Sequence, residues 1–572
     1  MSFYSKYLSS KSFNIFLLVL VAVNLLQSGF TLLNNDEAYY WMYSKYPDWG
    51  YFDHPPMIAI MIKAGYLLFQ NELGVRLLVV LSMAGSIMLI WSLIDREAEW
   101  KKENILYFIM MVLILPVFNI YGFIATPDSP LIFFSVLFLF AYRRFLSDTN
   151  WKNTLLIGIS MAALMYSKYH AALLIILVIL SNPGLLKNLR FYLAAILAVL
   201  LFVPHIYWQF INDFPSFKYH LAERVSGFDF GNIPEYLGNT LVFHNPVILP
   251  LSIWLFVKYR PVNKFDMALR FIFFGFLVFF LLASFRYHVQ PQWTVLIAIP
   301  IIIMVFRNID FNPVIRKTIK WVTFIMLPLI VAGRSALMFD FLPVAFLKDE
   351  YHDYEKKVKE ISEIAGERPV VFANSYQDPS VYTFYTGKFA HSLNNLNYRR
   401  TQYDLWDFEE RLHGKEVLYV PHWPTTYIQN NFTKHIYFNG DSVYLKGYDD
   451  FQSLQKECVN LKQEHYSFRK NSPNTIQLDI FNPYPYTIDI KHKEFPVVFQ
   501  IGFFRDGKRE ERWNIQLPDS VSQLIPGDTI TVDCQFNLGE LSDTSYKIVI
   551  CSETGVLYDT FNSRFRDATI LK

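Results

Sequence analysis

The chain has 572 residues, 53% of them hydrophobic and 18% aromatic, with 18% charged and a formal net charge of +2. Soluble chains usually carry about 25% charged residues, so this composition excludes a wholly soluble enzyme and a disordered chain. Three cysteines, none in a metal-ligand spacing, exclude a disulfide scaffold.

The charge is unevenly placed. Residues 1–340 hold 26 Lys+Arg and 18 Asp+Glu, about 13% of that part, whereas residues 341–572 hold 26 and 32, about 25%. The expected division is a membrane part over 1–340, a small α/β domain over 341–465 and a β-sandwich over 466–572. Neither part has the basic stripe of a nucleic-acid binder.

The first apolar stretch, Phe13 to Leu33, is long enough to cross a hydrocarbon core, which takes about 20 residues. It follows Lys6 and Lys11 and ends in no small-residue cleavage site, so it reads as a signal anchor with a cytoplasmic N-terminus. Further spans are predicted at 75–94, 104–122, 129–145, 153–167, 169–182, 191–209, 241–257, 268–285, 292–306 and 318–335. The polar tetrad Ser167, Lys168, Tyr169, His170 divides 153–182 into two helices, which brings the total to eleven. With that count the inside segments and their flanks hold 18 of the 26 Lys+Arg of the membrane part, satisfying the positive-inside rule. An odd number of spans then places residues 341–572 on the outer face.

The two longest outside loops are 34–74 and 210–240. Within the first, Met57–Phe69 is too short to span and reads as an interfacial helix. In the tail, Tyr354–Ala365 has an amphipathic helical pattern, and Pro369–Asn374 and Glu416–Val420 read as buried strands. Short alternating runs at Thr475–Phe481, Val497–Phe503, Thr529–Phe536 and Tyr546–Cys551 read as strands of a sandwich.

Three acidic motifs lie at the outer membrane edge. Asp36 and Glu37 follow the first span and are themselves followed by Tyr39, Tyr40 and Trp41. An aspartate capping the next helix beside an aromatic belt would account for them; a carboxylate held to take a proton from an acceptor hydroxyl would do so too. Tyr51, Phe52, Asp53, His54, Pro55 and Pro56 form a proline-stiffened turn with a charge pair at the same depth. Thr126, Pro127 and Asp128 open the fourth span, where Asp128 alone reads as an N-cap. The basic and aromatic groups Lys168, Tyr169, His170, Arg224, Arg286 and His288 sit at the same level, as snorkelling and belt side chains or, for the basic ones, as cations for a lipid phosphate.

These motifs, in this order among the spans, resemble the bacterial members of the protein O-mannosyltransferase-like family, which includes the aminoarabinose transferases. The resemblance covers roughly residues 10–340 and implies the GT-C glycosyltransferase fold. It also implies transfer of a hexose or pentose from a polyprenyl-phosphate donor to lipid A, an envelope glycan or a protein, on the outer face of the cytoplasmic membrane. Asp36 would be the general base of an inverting displacement, with Glu37 and Asp128 as further catalytic acids and Asp128 helping to shape the same cavity. Tyr39, Tyr40, Asp53, His54, Tyr169 and the basic residues Lys168, His170, Arg224, Arg286 and His288 would line the substrate site. The related aminoarabinose transferases carry lysine at the place of His54, a departure bearing on the donor phosphate. No cofactor is called for, since the lipid-linked sugar is a substrate, and a divalent metal at the carboxylates stays open. A transporter of a lipid-linked or envelope substrate is the competing class, although most ionisable residues here lie at span ends instead of mid-span.

Overall fold

A computed structural model describes residues 11–94, 96–220, 228–310, 312–395, 398–422, 426–432, 434–505, 508–541, 544–555 and 557–571. It divides into two compact units, Met1–Asp353 and Tyr354–Lys572.

The first unit is a bundle of helices: α1 (Lys11–Phe30), α2 (Asn35–Lys45), α3 (Met57–Tyr66), α4 (Glu72–Leu93), α5 (Ala98–Ile114), α6 (Asp128–Ser147), α7 (Trp151–Met165), α8 (Ala171–Ser181), α9 (Leu189–Ile211), α10 (Asn232–Phe243), α11 (Ile248–Lys258), α12 (Lys264–Ser284), α13 (Ala298–Arg307) and α14 (Pro313–Met338). Among the described residues, six of these (α1, α4, α6, α9, α12 and α14) are long and apolar enough to cross a membrane. A multi-pass membrane protein follows. All eleven predicted segments are helical, but several are short: α7 and α8 have 15 and 11 residues and break across Tyr166–His170, where the polar tetrad lies. α4 and α6 bury most of their apolar faces, whereas α1, α9 and α14 leave long rows of leucine, isoleucine and phenylalanine facing outward. An outward apolar face is what a helix wetted by lipid needs.

The segment 241–257, expected as one straight span, is instead two helices bent by 93°. The cause is local. Asn245 takes a left-handed backbone (φ 71), Pro246 disfavours helical geometry in the residue before it, and the Asn245 side chain accepts the Val247 and Ile248 N–H groups to start α11.

The second unit holds an α/β part and a β-rich part. Strands β1 (Val370–Ala373), β2 (Ala390–Leu393), β3 (Val417–Val420), β4 (Lys434–Phe438) and β5 (Asp441–Tyr448) form one sheet in the order 2-1-3-5-4. β1 runs parallel to β2 and β3, and β5 is antiparallel to β3. Residues of β1 and β3 are buried throughout, as strands covered on both faces must be. Further on, the runs near 475, 497, 529 and 546 are strands Ser472–Phe481, Val497–Arg505, Thr529–Leu538 and Ser545–Thr554. They belong to a six-stranded and a three-stranded sheet that share one core, with Ile476, Phe503, Phe536 and Ile548 in it. All three cysteines are buried and unbridged.

Candidate active site

α2 begins with a capping box. The Asn34 side chain accepts the Glu37 N–H at 2.8 Å, and Glu37 Oε2 accepts the Asn34 N–H at 3.1 Å. The cap is therefore Asn34, and Asp36 is the second residue of the helix. Its carboxylate lies in the first helical turn, half-buried, where the helix dipole favours negative charge.

Glu37, expected among the catalytic acids, is instead a structural clamp. It is fully buried against the equally buried Arg76 of α4, which donates from Nε to Oε1 at 2.7 Å and from Nη2 to Oε2 at 2.5 Å. The same guanidinium donates to the carbonyls of Ser28, Thr31 and Leu32, closing the exposed end of α1. Oε1 also accepts the Ala125 N–H at 2.7 Å. Every acceptor is occupied, which is the condition for keeping a carboxylate out of water. One consequence matters for function: Glu37 ties the turn carrying Asp36 to the loop that carries Asp128 three residues after Ala125.

Asp128 is likewise not a helix cap. Both its oxygens accept from Lys168 Nζ, at 2.8 and 2.9 Å, and the two side chains are only 6% and 7% exposed. Lys168, expected as a phosphate cation, is thus committed to Asp128 and fixes the α7–α8 turn to the start of α6.

The turn around Asp53 is fastened from several sides. Tyr43 donates to Asp53 Oδ1 at 2.6 Å. Tyr51 stacks on Tyr43 at 4.0 Å and donates to its carbonyl at 2.8 Å. From α9, His205 Nδ1 meets the Trp49 carbonyl at 2.8 Å and Trp208 donates to Asp48 at 2.7 Å. Gly50 permits this approach, because a Cβ there would lie 2.4 Å from the Trp208 ring. His220 Nε2 lies 3.1 Å from the Asp53 carbonyl. His54 follows, edge-on to Tyr40 at 5.7 Å.

Tyr169 reaches this turn through a chain of polar contacts. Its hydroxyl lies 3.0 Å from His205 Nε2 and accepts from Gln209 at 3.0 Å; Gln209 also donates to Ser216, which donates to the Tyr51 carbonyl. His170 packs instead between Phe280 and Trp293, with ring centroids 5.4 and 5.3 Å away. Tyr39 and Tyr40, expected on the substrate, are largely packing groups: Tyr39 is 1% exposed and edge-on to Tyr43 at 4.7 Å. Arg286 and His288 are exposed. The first lies 4.7 Å over Phe228, and the second faces Glu235 at 3.2 Å. Arg224 lies outside the described residues.

Sequence reasoning overlooked a third carboxylate. Glu350, beyond α14, accepts the Asn35 N–H at 3.3 Å. Burial lifts its carboxyl to about 7; the Asn35 hydrogen bond opposes the rise, and the nearby charges of Asp36 and Glu37 add to it. No local pattern marks this residue, which is brought to the site by the return of the chain. Arg76 did carry a signal, as an arginine inside an apolar span one turn after Glu72.

The profile of the dolichyl-phosphate-mannose-protein mannosyltransferase family matches residues 53–208, which include Asp53, His54, Asp128, Lys168 and Tyr169. No curated protein sequence matches the chain. Among solved structures, the crystal structure of ArnT from Cupriavidus metallidurans in the apo state is similar with a TM-score of 0.55 and 15% identity. The same protein bound to undecaprenyl phosphate gives 0.54 and 16%. Each match covers 76% of this chain and 97% of the other. The chain therefore has the GT-C fold, and its residues 53–208 are similar to the dolichyl-phosphate-mannose-protein mannosyltransferase family.

Proposed function

We propose that this protein transfers a sugar from a polyprenyl-phosphate donor to a hydroxyl-bearing acceptor at the outer face of the cytoplasmic membrane. The GT-C fold supports the reaction class, and an ArnT structure of that fold holds undecaprenyl phosphate, a lipid of the proposed leaving group's kind. The observation that carries the reading is the pairing of the Asp36 turn with the Asp128 loop through Glu37 and Ala125.

Asp36 acts as general base. Its carboxylate takes the acceptor proton as the acceptor oxygen attacks the anomeric carbon; the bond from that carbon to the donor phosphate breaks, and polyprenyl phosphate leaves with the electron pair. A single displacement of this kind inverts the anomeric configuration. Asp128, with its charge balanced by Lys168, shapes the acceptor side of the cavity. Asp53, His54 and Tyr169, held on one hydrogen-bonded frame, face the donor. The reading uses no cofactor, because the phosphate is itself the leaving group. The acceptor is lipid A, an envelope glycan or a protein.

The test is Asp36→Asn, which keeps the shape and removes the base. The expected loss of transfer rate is about 10²–10⁴-fold with an unchanged melting temperature. A folded variant that transfers at the wild-type rate would eliminate Asp36 as base. Mass spectrometry of envelope lipids, glycans and proteins from cells with and without the chain then names donor sugar and acceptor by the missing mass. No missing mass in expressing cells would move the assignment to transport.

A further inference from the structure

At the opposite end of α12 from the candidate active site, two cavities share a pair of arginines. α12 has 21 residues and spans about 30 Å. Its C-terminal end leads into the 291–297 turn, where Trp293 packs on His170, two residues after Lys168. Its N-terminal end and the 259–263 loop line a cavity of 340 Å³ that also takes in Arg96 and Arg307. Beside it lies a groove of 800 Å³ walled by Leu177, Leu180, Phe271, Phe274 and Val278. Arg260 and Arg270 line both.

The charges do not cancel. Among the described residues, four arginines line the first cavity against one carboxylate, Asp266. That carboxylate is held by Arg307 at 2.5 Å. Arg96 turns its guanidinium to the Arg307 carbonyl, at 2.6 Å, and over Trp100. Arg260, exposed, and Arg270, half-buried along Phe274, have no carboxylate within ion-pair distance among the described residues. Two such cations at a helix end, directly above an apolar groove in a membrane-spanning bundle, match one ligand class in both halves: an anionic head and acyl chains. Basic pockets between helices of this kind bind anionic lipid heads.

We infer that this cavity pair binds an anionic phospholipid of the bilayer, its phosphate on Arg260 and Arg270 and its acyl chain along the Leu177–Phe274 groove. The occupant is a bilayer phospholipid and not the polyprenyl donor, because the head-binding pair, Arg260 and Arg270, lies at the N-terminal end of α12, whereas the Trp293–His170 contact lies beyond its C-terminal end. By the distribution of lysine and arginine this is the cytoplasmic leaflet.

The experiment is native mass spectrometry of the full-length protein released from nanodiscs of mixed phosphatidylglycerol and phosphatidylcholine. The wild type is expected to retain phosphatidylglycerol selectively, and R260Q/R270Q to lose about tenfold or more of that preference. Arg260 is an exposed loop residue, so R260Q alone keeps the fold and gives a partial loss if the double variant is unstable. Equal retention of the two lipids, or full selectivity in a folded variant, overturns the inference. So does stoichiometric displacement of phosphatidylglycerol by undecaprenyl phosphate, which would make the groove a mouth for the donor.

Discussion

Glu37 and Asp36 are neighbours in the chain and occupy opposite electrostatic worlds. Glu37 has its negative charge matched by Arg76 and its oxygens filled by two backbone N–H groups, with no exposure to water. Asp36 is half-buried at a helix start, with the Glu350 carboxyl close enough for the two charges to repel. A carboxylate whose every acceptor is satisfied has nothing left to offer a substrate. The repulsion between the two acids helps to raise the Glu350 carboxyl. This local contrast, more than the presence of two acids, is the reason Asp36 and not Glu37 is proposed as the base.

The sharpest way to break this contrast is Arg76→Met. It leaves the Glu37 carboxylate buried without its cation, and the expected loss is about 3–5 kcal/mol, read as a large fall in melting temperature in detergent. Replacing both partners with apolar residues, R76M/E37L, is expected to recover much of that loss, because desolvation of the pair offsets its attraction. A single variant that melts like the wild type would show that Glu37 is no clamp.

Lys168→Met attacks the second closed pair. Asp128 and Lys168 are nearly as buried as Glu37 and Arg76 but are joined by fewer hydrogen bonds. The expected cost is at the low end for a broken buried pair, about 3 kcal/mol, with transfer activity falling as the α7–α8 turn loosens. D128N/K168M is expected to melt above K168M. If K168M keeps its melting temperature and loses only donor affinity, Lys168 is a phosphate ligand after all.

What was legible in the sequence follows from range of interaction. The apolar segments, the break at 167–170 and the buried strands at 370 and 417 are decided by composition within a few residues, and the structure has elements at each. The 93° bend at Asn245 was also written locally, in Asn-Pro, but a run of apolar residues on either side masked it. The acidic motifs announced a site without ranking its members. Glu37 and Asp36 carry the same chemistry in sequence, and the partners that bury Glu37, Arg76 and Ala125, lie 39 and 88 residues away. Glu350 lies 315 residues from Asn35 and could be found only in three dimensions.

Glu350→Gln sharpens the contrast on its other side. With a carboxyl raised to about 7, Glu350 is protonated below that pH and ionised above it. The groups facing it are Asn35, Asp36 and Glu37, with Tyr351 beside it in the chain and Arg76 behind Glu37. Ionisation adds a negative charge beside the proposed base, so in the proposed reaction KM for the anionic donor is expected to rise severalfold as pH passes about 7. E350Q is expected to show a smaller rise. Infrared difference spectra isolate the group: a protonated-carboxyl carbonyl band present near pH 6, gone near pH 8 and missing from E350Q. A band unchanged across that interval would remove Glu350 from the titration.

His288 and Glu235 give the smallest expected effect and the cleanest limit on the site. Their side chains are 59% and 47% exposed and meet at 3.2 Å. Exposed pairs of this kind contribute about 0–1 kcal/mol and are screened by salt. H288A is therefore expected to leave the melting temperature and donor KM within experimental scatter at moderate ionic strength. Charge alone had placed His288 with the donor-binding cations, yet its contact is with Glu235, an acid that would repel a phosphate. A several-fold rise in donor KM for H288A, with kcat unchanged, would mean that the donor reaches this exposed stretch and that the site extends beyond the frame built on Asp53 and Tyr169.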